Sequence, residues 1–108
     1  MNARQISEAD WRVWRRLSKM ALERYCDKVL NELAGYRQGD ASAHQRYINL
    51  YRYIQQCDET IGSAFNNPRR STAYFSIAIA LDQGLISSNE MNEFSSETRM
   101  AVEIILGK

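Results

Sequence analysis

The feature that most constrains this chain is a run of apolar residues between Ala43 and Ala64. Ala43, Tyr47, Leu50, Ile54, Cys57, Ile61 and Ala64 follow one another at alternating steps of four and three residues. Only an α-helix places positions so spaced on one side, and a seam of this a/d form needs a second long helix to cover it. The preceding segment supplies one. Ser7 followed by Asp10 has the form of an approximate capping box, and nothing between there and Ala34 breaks a helix. Gly35 stands where a terminating glycine belongs. A helix of that span is about 40 Å long. After the turn-like stretch from Gly35 to Asp40, Ser42 with Gln45 forms another capping box and opens the seam helix.

Folded as an antiparallel hairpin, the two helices set Leu33 level with Ala43, Val29 with Tyr47, Cys26 with Leu50, Leu22 with Ile54 and Trp14 with Ala64. The alternative use of the same seam is a coiled coil between subunits. The first helix also carries a second apolar set, Ile6, Ala9, Val13, Leu17 and Met20, on another side. A hairpin alone cannot bury both sets.

A third helix is expected from Asn67 as N-cap and Pro68 at the first helical position, where its missing N–H costs nothing. The run from Ala73 to Leu81 is apolar around most of its circumference, which marks a helix buried on several sides. Gly84 ends it. Ser87 with Glu90 is a third capping box, and Ser95 or Ser96 caps a last helix carrying Ala101, Ile104 and Ile105. The expected fold is therefore all-α: a long antiparallel helical hairpin, a buried third helix and two short C-terminal helices, in a single helical domain over residues 1–108. With one proline and five glycines the chain has little punctuation for a many-turned β fold.

Composition narrows function mainly by exclusion. Fourteen basic and thirteen acidic side chains leave a net charge of +1, so this is no polybasic protein. The charge is uneven: residues 1–38 carry +3, residues 39–70 carry +1 and residues 71–108 carry −3. That division favours packing within the chain or head-to-tail contact between chains. The apolar runs are shorter than the roughly 20 residues of a membrane span, and the first residues lack the apolar core of a signal peptide. A cytoplasmic protein without membrane contact is expected. Cys26 and Cys57 fit a reducing compartment as small apolar side chains, and in this register they are about 9 Å apart along the hairpin, too far for a disulfide.

Catalytic signatures are missing: no glycine-rich phosphate loop, no metalloprotease or nucleophile-elbow motif, and one histidine, His44, in a first helical turn. No Cys/His spacing suggests zinc. No cofactor or metal is expected, and the chain reads as a non-enzyme.

Three constellations remain. Arg12, Arg15, Arg16 and Lys19 share one face of the first helix beside Trp11 and Trp14, an arrangement that can neutralise phosphates. Internal pairing of Arg12 with Glu8 and of Lys19 with Glu23 would explain the same residues as a solvated face. Arg69 and Arg70 enter the first turn of the third helix, where the macrodipole disfavours cations; they form an anion site or else fasten the C-terminal segment through Glu90, Glu93 or Glu97. Finally, Ile6, Val13, Leu17 and Met20 are surplus apolar surface that the last helices cover or that marks self-association. Eleven aromatic residues, six of them tyrosine, suit an interaction surface. The leading expectation is a self-associating protein–protein interaction module, a homodimer. The alternative is a nucleic-acid-binding or regulatory protein using the basic face of the first helix.

Overall fold

The computed structural model describes residues 5–108 and is all-α, with no strand among those residues. Helix α1 spans Glu8–Tyr36, α2 spans Ala43–Thr60, α3 spans Ala73–Asp82, α4 spans Ser88–Met91 and α5 spans Ser96–Ile105. A wide π-helical turn, Ile61–Phe65, prolongs α2, and a 3₁₀ turn, Arg70–Thr72, leads into α3.

Local chemistry explains most boundaries. The Ser7 hydroxyl accepts the Asp10 N–H at 3.1 Å and opens α1. Ile6 before this cap and Trp11 one turn inside it are both buried, the two positions of a hydrophobic staple. Ser42 and Ser95 cap α2 and α5 through the N–H groups of Gln45 and Thr98. At Ser42 the box is half made, because the Gln45 carboxamide bonds Asn49 instead. Ser87 and Glu90 complete theirs in both directions. Helix α3 closes in a Schellman motif: the Leu85 N–H reaches the Ala80 carbonyl at 2.8 Å and the Gly84 N–H reaches Leu81 at 3.1 Å, with Gly84 at φ 72°.

Two boundaries depart from expectation. Gly35 does not end α1, which runs on through Tyr36; the first left-handed glycine is Gly39. The two extra residues are held from outside, because the Tyr36 ring stacks on Tyr53 at 5.0 Å and the Arg46 guanidinium donates to the Arg37 carbonyl at 2.6 Å. Nor does Asn67 cap α3. It adopts φ 63° and reverses the chain, since Pro68 disfavours a right-handed helical residue before it and asparagine tolerates the left-handed region. Helix α3 begins only at Ala73.

The hairpin forms, but α2 lies slid and rotated against α1. Tyr53 meets Tyr36 and Phe65 meets Tyr25, with ring centroids 5.7 Å apart in the second pair. Measured by these ring pairs, α2 has slid by about 12 residues, a little over three turns, from the expected register. The shielded stripe of α2 and its π-helical extension is Arg46, Leu50, Tyr53, Cys57, Thr60 and Ala64. It shares Leu50, Cys57 and Ala64 with the expected seam, whose Ile61 is also half-buried against the core, while Ala43, Tyr47 and Ile54 of that seam are exposed. The observed register makes the Tyr36–Tyr53 stack and lets the Arg46 side chain bond the Arg37 and Ala41 carbonyls of the loop.

The core is built at one end of a molecule measuring 55 × 27 × 25 Å. There Trp14, Leu17 and Ala21 of α1 join Ala73, Ile77, Ala78 and Ala80 of α3, Met91, Phe94 and Val102, each less than 9% exposed. Small residues on α1 (Ser18, Ala21) and α3 (Ser76, Ala80) are buried, which lets neighbouring backbones approach closely. The other half of the hairpin projects from this body as a two-helix arm. Both cysteines are free thiols, as expected. The register behind that expectation has moved, however, and Cys57 now lies beside Tyr25 and Tyr53.

Candidate interaction surfaces

The four residues expected as surplus apolar surface are incorporated in the body. Ile6 is 5% exposed and Leu17 is 1% exposed, while Val13 and Met20 are half-buried against the same core. Helices α3 to α5 provide the second cover that a hairpin lacks, so this set is not an open patch of the folded chain.

A buried carboxylate fastens that cover. Asp10 is 3% exposed, and its side chain accepts from the Ser95 N–H at 3.0 Å, the Ser95 hydroxyl at 2.5 Å and the Thr98 hydroxyl at 2.5 Å. The first turn of α1 thereby grips the first turn of α5, where the unpaired N–H groups of both helix starts favour negative charge. Burial pushes the carboxyl pKa up, and the bonds from Ser95 and Thr98 more than offset it, leaving it below its ordinary value. Sequence reading took Asp10 as a local capping partner. Its role across 85 residues of chain carries no short-range signal.

The basic face of α1 is divided by ion pairs. Arg12 pairs with Glu8 at 3.6 Å, and Arg16 pairs with Glu93. Arg15 and Lys19 have no ion-pair partner among the described residues, so the expected Lys19–Glu23 pair is not made. The four cations nonetheless line one open cleft of about 300 Å³. Trp11 and Trp14 are buried and offer no face for base stacking.

Arg69 and Arg70 part company. Arg70 reaches Glu8 at 2.6 Å and lies over the Trp11 ring at 5.4 Å from its centroid, so it ties the start of α3 to the start of α1. The expected fastening to Glu90, Glu93 or Glu97 is made by other arginines. Arg24 grips Glu90 through two bonds of 2.8 and 2.9 Å and also donates to the Leu85 carbonyl, alongside the Arg16–Glu93 pair. Arg24, with the Ser87 N–H, holds the Glu90 carboxyl down at about 2. The Arg24 side chain was legible only as one more charge on a long helix.

The exposed apolar residues fall elsewhere. On the arm they are Leu30, 63% exposed, and Tyr47, Tyr51 and Ile54 of α2, 66%, 56% and 41% exposed. The last three are spaced four and three residues apart, and so form a stripe about 100° round α2 from the one that faces α1. On the body, Phe75, Met100, Ile104 and Ile105 are exposed, and Tyr74, Ala101, Ile104 and Ile105 line a groove of about 260 Å³. His44 is exposed on the arm. No cluster of metal-ligating side chains occurs among the described residues, and no helix there is long and apolar enough to cross a membrane.

Fold and surface together define a small all-α protein in which the outer half of the α1–α2 hairpin projects as an arm from a helical body completed by α3 to α5. The chain matches no known family, and comparison with curated proteins and with solved structures finds no match to either.

Proposed function

We propose that this chain is a non-enzymatic protein–protein interaction module of the cytoplasm that self-associates into a homodimer through the outer stripe of its arm. The observation that carries this reading is the exposure of Tyr47, Tyr51 and Ile54 at coiled-coil spacing on a helix whose other apolar stripe is already occupied. A second copy fits this stripe by symmetry. Two α2 helices crossing antiparallel about a two-fold axis near Tyr51 set Tyr47 of one copy level with Ile54 and Gln55 of the other. The same operation brings the end of α2 that carries His44 and Arg46 toward the end that carries Asp58 and Glu59, and it opposes the helix dipoles. Tyrosines supply large, rigid contact area of the kind that anchors interfaces.

Sedimentation or light scattering across the micromolar range tests the reading. The wild-type chain is expected to be a dimer, and Tyr47→Glu or Tyr51→Glu a monomer with unchanged helicity, since neither ring supports the core. A wild-type monomer at high concentration, or a dimer indifferent to both substitutions, overturns it.

A second reading, nucleic-acid binding, is favoured by the convergence of Arg12, Arg15, Arg16 and Lys19 on one cleft. With two of the four already paired to carboxylates, about two phosphates would be neutralised. The slope of log affinity against log salt would then be only about −2, which describes weak binding. A salt-dependent mobility shift on mixed oligonucleotides, lost when Arg15 and Lys19 are both replaced, would move this reading ahead of the first.

A further inference from the structure

A pocket of about 250 Å³ lies where the π-helical turn, the reversed Asn67 and the start of α3 meet. It is lined by Ser63, Asn66, Asn67, Arg69, Thr72 and Ser76, among others, and no carboxylate lines it. Arg69 contributes its only cation. Unlike Arg70, which is neutralised by Glu8, Arg69 forms no ion pair among the described residues. No side chain caps α3 at Thr72 beside it, and the Thr72 and Ala73 N–H groups bond the Arg69 and Arg70 carbonyls through the 3₁₀ turn, so this end of the helix offers the positive end of its dipole rather than free N–H groups.

Ser76 supplies the independent observation. It is 4% exposed, lines the pocket, and its hydroxyl bonds no other described residue. It is nevertheless not among the fully enclosed polar atoms that lack a partner, which are Trp14 Nε1 and Arg99 Nε. Its hydroxyl therefore has open space on the pocket side. A hydroxyl open to the pocket and free of bonds within the described chain can donate to a ligand oxygen without giving up an existing partner.

We infer that this pocket binds a small phosphate-class oxyanion, free phosphate or a small monophosphate, with the Arg69 guanidinium and the Ser76 hydroxyl donating to it. The donors present are guanidinium, hydroxyl and carboxamide, the set that recognises tetrahedral oxyanions through charge-assisted bonds. The volume falls below the roughly 300–1,000 Å³ of pockets that take drug-sized ligands, so the ligand is small. The site lies on the body, apart from the arm stripe, and does not depend on dimerisation.

Titration of the ¹⁵N-labelled full chain with sodium phosphate, at ionic strength held constant with sodium chloride, tests the inference. Saturable amide shifts are expected at Asn67, Arg69 and Ala73 to Ser76. Arg69→Gln should weaken binding about tenfold or more, the loss of a charge-assisted contact, and Ser76→Ala by less. A parallel titration with ribose 5-phosphate distinguishes the sources, since tighter binding than phosphate indicates a monoester and equal binding indicates the bare anion. Arg69 is exposed, so Arg69→Gln should melt like wild type and its effect reads binding alone. The inference is overturned by shifts that do not saturate, by shifts that map instead to the Arg12–Lys19 cleft, or by undiminished affinity in Arg69→Gln.

Discussion

Replacing Asp10 with alanine removes the acceptor that joins α1 to α5. Three donors converge on this carboxylate, two of them at 2.5 Å and one at 3.0 Å. A hydrogen bond to a charged group contributes about 1.5–3 kcal/mol net, and the contributions of bonds to one group do not simply add. The donors left behind are not equally harmed: the Ser95 and Thr98 hydroxyls can rotate, but the Ser95 N–H cannot. Thr98 is 1% exposed, so its hydroxyl would have little water to turn toward. The expected cost of Asp10→Ala is therefore about 3–5 kcal/mol, a large share of the roughly 5–15 kcal/mol that holds such domains together. Asp10→Asn retains the shape and one acceptor for the Ser95 N–H, and should cost less, about 1–3 kcal/mol. Urea unfolding followed by helical circular dichroism at neutral pH measures both. The sign of the pH dependence follows from the lowered folded-state pKa of Asp10. Its contribution is fully present above the ordinary aspartate range, near pH 4, and is lost as pH falls through the folded value, so the wild-type and Asp10→Asn curves should converge in acid. An Asp10→Ala midpoint equal to wild type, or an asparagine variant less stable than the alanine one, would refute the reasoning.

The remaining predictions concern packing and titration. Ile77 is 0% exposed, so Ile77→Ala should cost about 2–5 kcal/mol in urea unfolding, whereas Ile54, 41% exposed, should cost under about 1 kcal/mol in the monomer. Glu90→Gln should leave neutral-pH stability lower than wild type but flatten its acid dependence, because the wild-type carboxyl sits at about 2 and its contribution is lost only as pH falls from about 4.5 toward that value. Burial, and then the Cys57 thiol, push Tyr53 up to about 12. Ultraviolet titration should therefore show a phenol ionising at about 12 that is absent from Tyr53→Phe, beside the Tyr25 phenol, which burial also raises. The stability linked to Tyr53 is present below the ordinary phenol range, near pH 10, and is lost as pH rises toward 12.

The fold class was legible because its signals are local. Serine caps act within four residues, and the Gly84 motif acts within six, so Ser7, Ser42, Ser87 and Ser95 mark their helices whatever the tertiary context. The continuous apolar run of α3 likewise declares burial by itself. The register of the hairpin was not legible in the same way. A seam of alternating steps of three and four has a competitor on the same helix, Arg46, Leu50, Tyr53, Cys57, Thr60 and Ala64, with identical spacing but polar members. An apolar tally prefers the first stripe, yet arginine and tyrosine bury long apolar stems while their polar ends find partners. Arg46 meets carbonyls of the loop and Tyr53 meets Tyr36, contacts visible only once the helices are laid together.

That difference in register decides where the functional surface lies. Had Tyr47 and Ile54 faced α1, the arm would have been capped internally and the set around Leu17 would have been the candidate interface. Instead the body satisfies Leu17 with α3 to α5, and the apolar excess moves to the arm. The sequence does contain more apolar helix surface than one hairpin buries, and counting alone is enough to see this. Assigning the excess to one side required knowing which stripe of α2 turns inward. The same holds for charge. Arg69 and Arg70 violate the preference of a helix start for anions equally, and adjacency makes them look like a single feature. Folding pairs one of them with Glu8 and Trp11 and leaves the other over a pocket lined by hydroxyls and carboxamides. A violated local rule identifies where compensation must come from outside the segment; the tertiary structure separates the arginine that has received it from the one that still offers its charge.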